Sequence, residues 1–242
     1  MSRTMRLVGV GGIVVVILTI SIYTFKNSTP TPAQAREQLA KLTIQYDVDS
    51  FIAAAYKDNT KVASLLPDAG MNPNERDEKG NTALIAAVAG KMTTTARMLI
   101  ARGASVNVKT DDGFTPLLYA VRDVDLANTM LLLDRGADIN SVGLRDLTPL
   151  MSAVMAHQTG QLKLLLDRGA DPNRKANNGF TALMFAAGDD SGSSGEMVRL
   201  LLARGADVNS QVSGRTALFI ASQSGHSEVV DLLKKAGAKD SF

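Results

Sequence analysis

A ten-residue string recurs along this 242-residue chain and constrains its fold more than any other feature. The string reads LLLDRGADIN at residues 131–140, LLLDRGADPN at 164–173 and LLLARGADVN at 200–209. Weaker copies lie at 64–74, 98–107 and 232–239. Their glycines are separated by 33, 33, 33, 36 and 32 residues. A period of this length predicts a solenoid, in which each unit buries its apolar face against its neighbours.

A second landmark opens five of the units. It is a Thr followed by Pro or Ala and then Leu, at Thr82, Thr115, Thr148, Thr181 and Thr216. Each Thr precedes the glycine of its own unit by 21 residues, except that Thr181 precedes Gly205 by 24. Three residues are therefore inserted in that unit, within the segment 188–195.

Each unit is predicted to be a pair of helices. The Thr side chain caps a short first helix, and Pro in the next position costs no hydrogen bond. Alanines such as Ala120 and Ala153 allow neighbouring helices to approach closely. The second helix carries Leu at helical spacing and ends at a glycine such as Gly136, which predicts a left-handed cap. A turn then ends at a glycine two residues before the next Thr, except in the fourth unit, where Asp146 takes this place.

The 33-residue period, the TPLxxA entry, the LLLxRGADxN exit and the turn Asp112-Gly113-Phe114-Thr115 together resemble the ankyrin repeat. The resemblance covers about residues 48–238. It implies an all-α repeat solenoid, in which each repeat is a helix-turn-helix with a β-turn finger. About six repeats are expected, at 48–77, 78–110, 111–143, 144–176, 177–210 and 211–240.

The sequence departs from the family pattern in two ways. The first unit has Asp49-Ser50-Phe51 in place of Thr-Pro-Leu, so we expect a degenerate capping unit there. The family's usual His after this triplet is replaced by an apolar residue in the later units, at Ile85, Leu118, Met151, Met184 and Phe219. The replacement removes hydrogen bonding between loops, which makes the array a divergent one.

An uncharged apolar run at residues 7–25 precedes the repeats. As a helix with a rise of about 1.5 Å per residue it would span roughly 28 Å, close to the ~30 Å hydrocarbon core of a bilayer. Arg3 and Arg6 lie before it, so the positive-inside rule predicts a cytoplasmic N-terminus at residues 1–6. The run is therefore predicted to be a transmembrane signal anchor, with the repeats facing the periplasm or the outside.

The segment after the run contains Pro30 and Pro32 among small polar residues. It predicts an extended linker over residues 26–44, followed by an ankyrin-repeat domain at 45–242. The alternative is a signal peptide that is cleaved near Ala35, which would release a secreted domain.

Composition argues against most kinds of chemistry. The 26 Lys and Arg residues nearly balance the 24 Asp and Glu residues, so we expect no nucleic-acid binding. The chain has no cysteine, which removes disulfides, thiol catalysis and cysteine-based zinc sites. Its two histidines, His157 and His226, belong to no metal-binding or catalytic motif. We therefore expect no enzyme activity, no cofactor, no metal and no small-molecule substrate.

The resemblance implies that a protein partner binds on a concave face made by the finger tips and the first helices. Phe114, Leu147 and Phe180 occupy one place in three successive units, so we expect an exposed apolar stripe of the kind that marks a protein contact. Arg122 and Arg145 would flank this stripe as further contact residues. The other candidates are Leu144, Met155 and Lys175. The alternative is that the three apolar side chains fold over neighbouring turns and only cover the array.

Three functions fit this layout. The first is a non-enzymatic protein-binding module anchored in an inner (plasma) membrane and displayed on its non-cytoplasmic side. The second, suggested only by analogy with bacterial ankyrin proteins, is an immunity protein that inhibits a toxic enzyme such as a phospholipase in the periplasm. The third is an accessory to a resident periplasmic enzyme. A fourth function, catalysis, lacks the necessary residues.

Overall fold

Residues 29–239 are described by a computed structural model, and within them six antiparallel helix pairs stack one after another. The first helices of the pairs are α2 (Val48–Tyr56), α4 (Ala83–Ala89), α6 (Pro116–Arg122), α8 (Pro149–Met155), α10 (Ala182–Ala187) and α12 (Ala217–Gln223). The second helices are α3 (Thr60–Asp68), α5 (Thr93–Ala101), α7 (Leu126–Asp134), α9 (Thr159–Asp167), α11 (Ser194–Ala203) and α13 (Ser227–Lys235). A further helix, α1 (Pro32–Lys41), precedes the pairs. The predicted all-helical solenoid is confirmed.

Fingers join each second helix to the next pair. The finger before α8 contains a single 3-10 turn, Leu144–Asp146. In the finger before α12, strand β1 (Gln211–Val212) pairs antiparallel with β2 (Arg215–Thr216). The anchor expected at residues 7–25 lies outside the described residues. Within residues 29–239, no helix is both long and apolar enough to cross a bilayer.

Stacking of like helices builds the core. Each first helix packs on the first helix of the next pair, and the second helices also stack, least closely between α7 and α9. The alanines at the centres of the first helices are completely buried, which permits this close approach: Ala87, Ala120, Ala153, Ala186 and Ala221. The core is therefore one continuous apolar layer rather than a separate core in each unit.

The predicted caps are present in every unit that has the Thr. Each Thr side chain accepts a hydrogen bond from the N–H three residues further on, over 3.2–3.4 Å. Gly136 has a φ of +80°, which confirms the left-handed cap at the end of α7. Local hydrogen bonds of this kind explain why the helix boundaries follow the sequence landmarks.

The Asn that ends each RGADxN string joins one unit to the next. The side-chain oxygen of Asn107 accepts from the N–H of Asp138 over 2.8 Å, and its amide donates to the Gly136 carbonyl over 3.1 Å. The side chains of four other asparagines also bond to the following unit, at Asn74, Asn140, Asn173 and Asn209. Equivalent backbone positions of neighbouring units are thereby held in register.

The expectation of an extended linker over residues 26–44 is wrong for the part of that segment that forms α1. Thr31 and Gln34 form a reciprocal capping box that starts this helix, with Pro32 in its first turn. Ala35 and Leu39 are buried where α1 packs on α3. The helix therefore takes the place that a preceding second helix would occupy. Cleavage near Ala35 would cut through it.

The first unit begins at residue 48 as predicted, but its cap lies two residues before Asp49, the residue aligned with the capping Thr of the later units. Helix α2 starts at Val48, because the Asp47 carboxylate accepts from the Ser50 N–H over 2.7 Å and caps the helix. Phe51 still fills the fully buried position that Leu84 fills in the next unit.

A buried position on the second helices changes from apolar to polar in the middle of the array. It lies eight residues before the glycine that ends the second helix, such as Gly136. Its occupants are all buried: Val62, Thr95, Asn128, Gln161, Met197 and Val229. The Asn128 amide donates to the Asp125 carboxylate over 2.6 Å. Neither the nitrogen nor the oxygen of the Gln161 side-chain amide has a hydrogen-bond partner among the described residues. Gln161 lies on α9, one of the two helices that form the loosest junction of the stack.

Replacing Gln161 by Met should stabilise the protein. The change removes an unsatisfied buried amide and introduces the residue that the next unit already has at this position, Met197. We expect the free energy of unfolding to rise by about 1 kcal/mol or more, measured by urea unfolding. Asn128→Met is the control and should destabilise, because the buried Asp125 carboxylate would lose a partner. An unchanged or lower stability of Gln161→Met would contradict this account.

Candidate functional site

An apolar hollow of about 330 Å³ opens between two neighbouring fingers and the first helices that follow them. It is called the apolar hollow below and is lined by Phe114, Leu118, Arg122, Gly143, Leu144, Arg145, Leu147, Ser152, Met155 and Ala156. Its position at the joint between α6, α8 and the fingers corresponds to the concave face expected from the repeats. A concave apolar surface with a few polar groups is the usual form of a binding site.

The floor of the hollow is made by Leu118 and Gly143. Leu118 is buried, and it stands where the family usually has His, so the floor is apolar. A Cβ on Gly143 would lie 2.8 Å from Leu118 Cδ1, so any side chain there would force this contact apart. The absence of a side chain at Gly143 therefore keeps the hollow open.

Arg122 forms one wall and is held by ring stacking and an ion pair. Its guanidinium lies over the rings of Tyr119 and Phe114, with Cζ 4.7 Å and 5.7 Å from the ring centroids. It also donates two hydrogen bonds to Asp123, over 2.8 Å and 3.1 Å. These bonds raise the pKa of Arg122 above its ordinary value. Such a stacked guanidinium presents a flat, pre-ordered surface to a partner.

The finger that carries Leu144 and Arg145 has an unusual backbone. Arg145 and Asp146 are both in the left-handed region, with φ of +61° and +55°. Other fingers place a glycine two residues before the Thr, whereas this one has Asp146. The resulting 3-10 turn leaves Leu144 59% exposed at the edge of the hollow. Arg145 has no carboxylate partner within the described residues.

A second hollow of about 550 Å³ adjoins the first and shares Met155 with it. It is lined also by Phe185, by His157 and by the inserted segment between α10 and α11. The insertion therefore lies between the two helices of its unit, as predicted. Met155 is 49% exposed and lies between the two hollows. The first hollow is apolar, and the second contains Asp189 and Asp190.

Both histidines of the chain hold the inserted segment in place. His157 Nδ1 lies 2.7 Å from the buried Asp189 carboxylate, whose other oxygen accepts from Ser191 Oγ. His226 Nδ1 lies 2.9 Å from the Ala187 carbonyl oxygen. Its Nε2 lies 2.8 Å from Asp190 Oδ1. His226 therefore has a structural role, and the insertion is fastened to the units on both sides of it.

Six of the eight predicted contact residues come together around the apolar hollow: Phe114, Arg122, Leu144, Arg145, Leu147 and Met155. The other two do not line it. Lys175 is exposed on the next finger, and Phe180 packs against the core with its ring 5.4 Å from Phe185.

The expected exposed stripe of Phe114, Leu147 and Phe180 is wrong in its exposure. All three side chains are half-buried, because each lies against an adjacent helix or the core. The exposed apolar side chains at the apolar hollow are Leu144 and Met155 instead. The structure therefore favours the alternative interpretation, in which these three side chains partly cover the array. This is clearest for Phe180.

Sequence reasoning missed four lining residues. Ser152 lies one turn before Met155 on the fourth unit's first helix, and this i, i+3 spacing was a signal that could have found it. Ala156 directly follows Met155 at the end of this helix and shares its place before the inter-helix turn. Leu118 and Gly143 gave no such signal, because only their contact across two units shows that they form the floor.

Comparison with known proteins agrees with this geometry. The family described as Ankyrin repeats (3 copies) matches the chain over residues 50–143, 131–211 and 150–241. The chain is an ankyrin-repeat protein. An ankyrin-repeat domain from Acinetobacter baumannii AYE, solved as a crystal structure, is 32% identical to it, with a TM-score of 0.76. The match covers 80% of this chain and 100% of that domain. No curated protein matches the sequence significantly.

The pairing of His226 predicts a pH dependence of stability. The Ala187 carbonyl, and after it the Asp190 carboxylate, raise the pKa of His226 above its ordinary 6.5. Folding therefore favours the protonated ring. This contribution is fully present below the ordinary pKa and is lost as pH rises through the higher pKa of the folded state.

We expect the melting temperature of the wild-type protein to fall more than that of His226→Gln as pH rises from about 6 to about 9. Gln keeps a donor at this position but does not titrate. Thermal melts of both proteins across this range measure the difference. Parallel pH profiles would show that His226 does not contribute in this way.

Proposed function

We propose that this ankyrin-repeat protein is a non-enzymatic binding module, displayed on the non-cytoplasmic side of a membrane, that captures a protein partner on its concave face. Ankyrin repeats are generally protein-binding modules, and the chain belongs to that family. The observation that carries the proposal is the apolar hollow, which gathers six of the predicted contact residues from two fingers and two first helices.

The chemistry of the hollow favours a protein segment with an apolar anchor side chain. Leu144 and Met155 are exposed beside a buried apolar floor, so an inserted side chain would remove apolar surface of both molecules from water. Arg122 is already ordered by stacking and by Asp123, which lowers the entropy cost of contacting it. Aromatic and Arg side chains of this kind dominate the energetics of protein interfaces.

Arg145 adds charge specificity at the rim. It is exposed, and no described carboxylate neutralises it. A partner with an acidic residue next to its apolar anchor would therefore gain a charge-assisted hydrogen bond. The backbone conformation of residues 144–146 determines where the Arg145 side chain leaves the finger. A change of this conformation should therefore alter which partner binds.

Membrane display rests on the sequence of residues 7–25. That run is apolar, uncharged and long enough to cross a bilayer, and Arg3 and Arg6 precede it. Only a short segment separates the end of this run from the repeat domain, because α1 begins at Pro32. The immunity and accessory roles are special cases of the same module in which the captured partner is a toxic or a resident periplasmic enzyme.

The double variant Leu144→Ser, Met155→Ser should reduce partner capture at least tenfold. Such a loss corresponds to about 1.4 kcal/mol, which is modest for two exposed side chains at the centre of an interface. The measurement is quantitative mass spectrometry of proteins retained by the immobilised full chain from membranes of the source organism. The captured protein's identity separates the general module from the immunity and accessory roles.

Phe219→Ser is the matched control, because Phe219 is also an exposed apolar side chain but lies on α12, away from the apolar hollow. It should leave capture unchanged. The melting temperatures of all variants should stay close to that of the wild type, since exposed side chains contribute little to folding. Equal capture by wild type and double variant would contradict binding at the hollow.

A further inference from the structure

An apolar patch interrupts the polar surface of the second helices at one unit alone among those described. It is called the outer patch and consists of Val124, Leu126 and Met130, which are 43%, 45% and 45% exposed. Leu126 and Met130 are four residues apart on α7 and therefore share one face of it. Val124 lies in the turn immediately before this helix.

The array itself does not require these apolar side chains. At the place of Leu126 the other units have Thr60, Thr93, Thr159, Gly195 and Ser227. At the place of Met130 they have Ser64, Arg97, Lys163, Arg199 and Asp231. Since every other second helix folds with polar residues or Gly there, the outer patch is a special property of the third unit.

Val124 adds a conformational cost. Its φ is +58°, in the left-handed region that β-branched residues rarely occupy. Four other units place Asp58, Lys91, His157 and Gly225 in this conformation, none of which is β-branched. An exposed Val in a strained turn gains nothing from core packing, and such outliers point to a function at the surface.

Basic side chains without a carboxylate partner lie on both sides of the outer patch, whereas Asp134, one helical turn beyond Met130, is paired with Arg168. Arg97 and Lys163 occupy the Met130 position on the helices to either side, and neither pairs with a carboxylate within the described residues. Arg135, at the end of α7, is also unpaired there. Its counterparts Arg102, Arg168 and Arg204 each bind an Asp of the preceding unit, whereas the preceding unit offers Arg135 only Ala101.

We propose that the outer patch rests on an anionic lipid surface. Apolar side chains ringed by Lys and Arg suit the boundary between acyl chains and anionic headgroups. This inference rests on the membrane attachment in the proposed function, which keeps the domain close to a bilayer. Five residues lie between position 25 and Thr31, so these two positions are at most about 22 Å apart.

A second copy of the chain fits the outer patch less well. A two-fold axis through Met130 would place Arg97 of one copy against Lys163 of the other, and like charges would face each other. Anionic lipid, in contrast, complements every free charge around the patch. The apolar hollow on the first-helix side stays available to a protein partner in this arrangement.

The absence of cysteine allows a direct test with single nitroxide labels on the full chain. Ala127→Cys places a label on an exposed position within the outer patch, and Asn177→Cys places one on an exposed finger as control. Each protein is reconstituted into phosphatidylcholine vesicles with or without phosphatidylglycerol. Electron paramagnetic resonance then compares collisions of the label with lipid-soluble oxygen and with a water-soluble nickel chelate.

We expect the ratio of oxygen to nickel collisions at position 127 to rise several-fold in the anionic vesicles and to stay constant at position 177. Adding Leu126→Thr and Met130→Ser should abolish the rise. These residues are those of the first unit, Thr60 and Ser64, so the helix tolerates them.

A label at 127 that stays exposed to water in anionic vesicles would overturn the proposal and leave a protein as the occupant of the patch. A rise that persists in the double variant would also overturn it. Retention of the chain on the vesicles after an alkaline carbonate wash tests the anchor separately. Loss of the chain in the wash would therefore count against membrane display, whatever the label at 127 reports.

Discussion

Each unit after the first is positioned by the side chain of one asparagine in the unit before it. The Asn107 carboxamide bridges to the backbone at Gly136 and Asp138, and the same type of bridge recurs along the array. Buried alanines then allow the first helices to stack closely. Together these contacts hold equivalent residues of neighbouring units side by side. Any surface feature that spans two units, including the apolar hollow, depends on this register.

The proposed binding surfaces lie where the units differ. The finger at Leu144–Asp146 lacks the usual glycine, and its altered backbone exposes Leu144 beside the hollow. The insertion after Ala187 is fastened by both histidines and borders the second hollow. On the other side of the array, the third unit alone among those described replaces polar residues by an apolar patch. The repeated string thus supplies the scaffold, and the exceptions to it supply two distinct surfaces.

Local chemistry explains which parts of this structure the sequence could predict. Thr caps and the left-handed Gly136 act within a few residues, so their effects could be inferred from the chain alone. Helix α1 was missed because its prolines suggested a linker, although Thr31 and Gln34 form a capping box at its start. The burial of Phe180 was missed because it depends on the position of Phe185 in the adjacent helix.

The site was predictable in position and less so in detail. The fold resemblance indicated the concave face, and six of the eight candidate residues line one hollow there. The floor at Leu118 and Gly143 could not be inferred, since it arises from a contact between two units. The outer patch was also missed, although Leu126 and Met130 could have been recognised by comparing each helical position across the units.

Site-specific photo-crosslinking tests the central claim most directly, because it reports which face of the array a protein partner touches. A benzophenone amino acid is placed at Leu144 in one protein and at Met130 in another, and both are irradiated in membranes of the source organism. The account predicts a discrete protein adduct from position 144 and none from position 130. A protein adduct from position 130 alone, or from neither position, would contradict capture on the concave face.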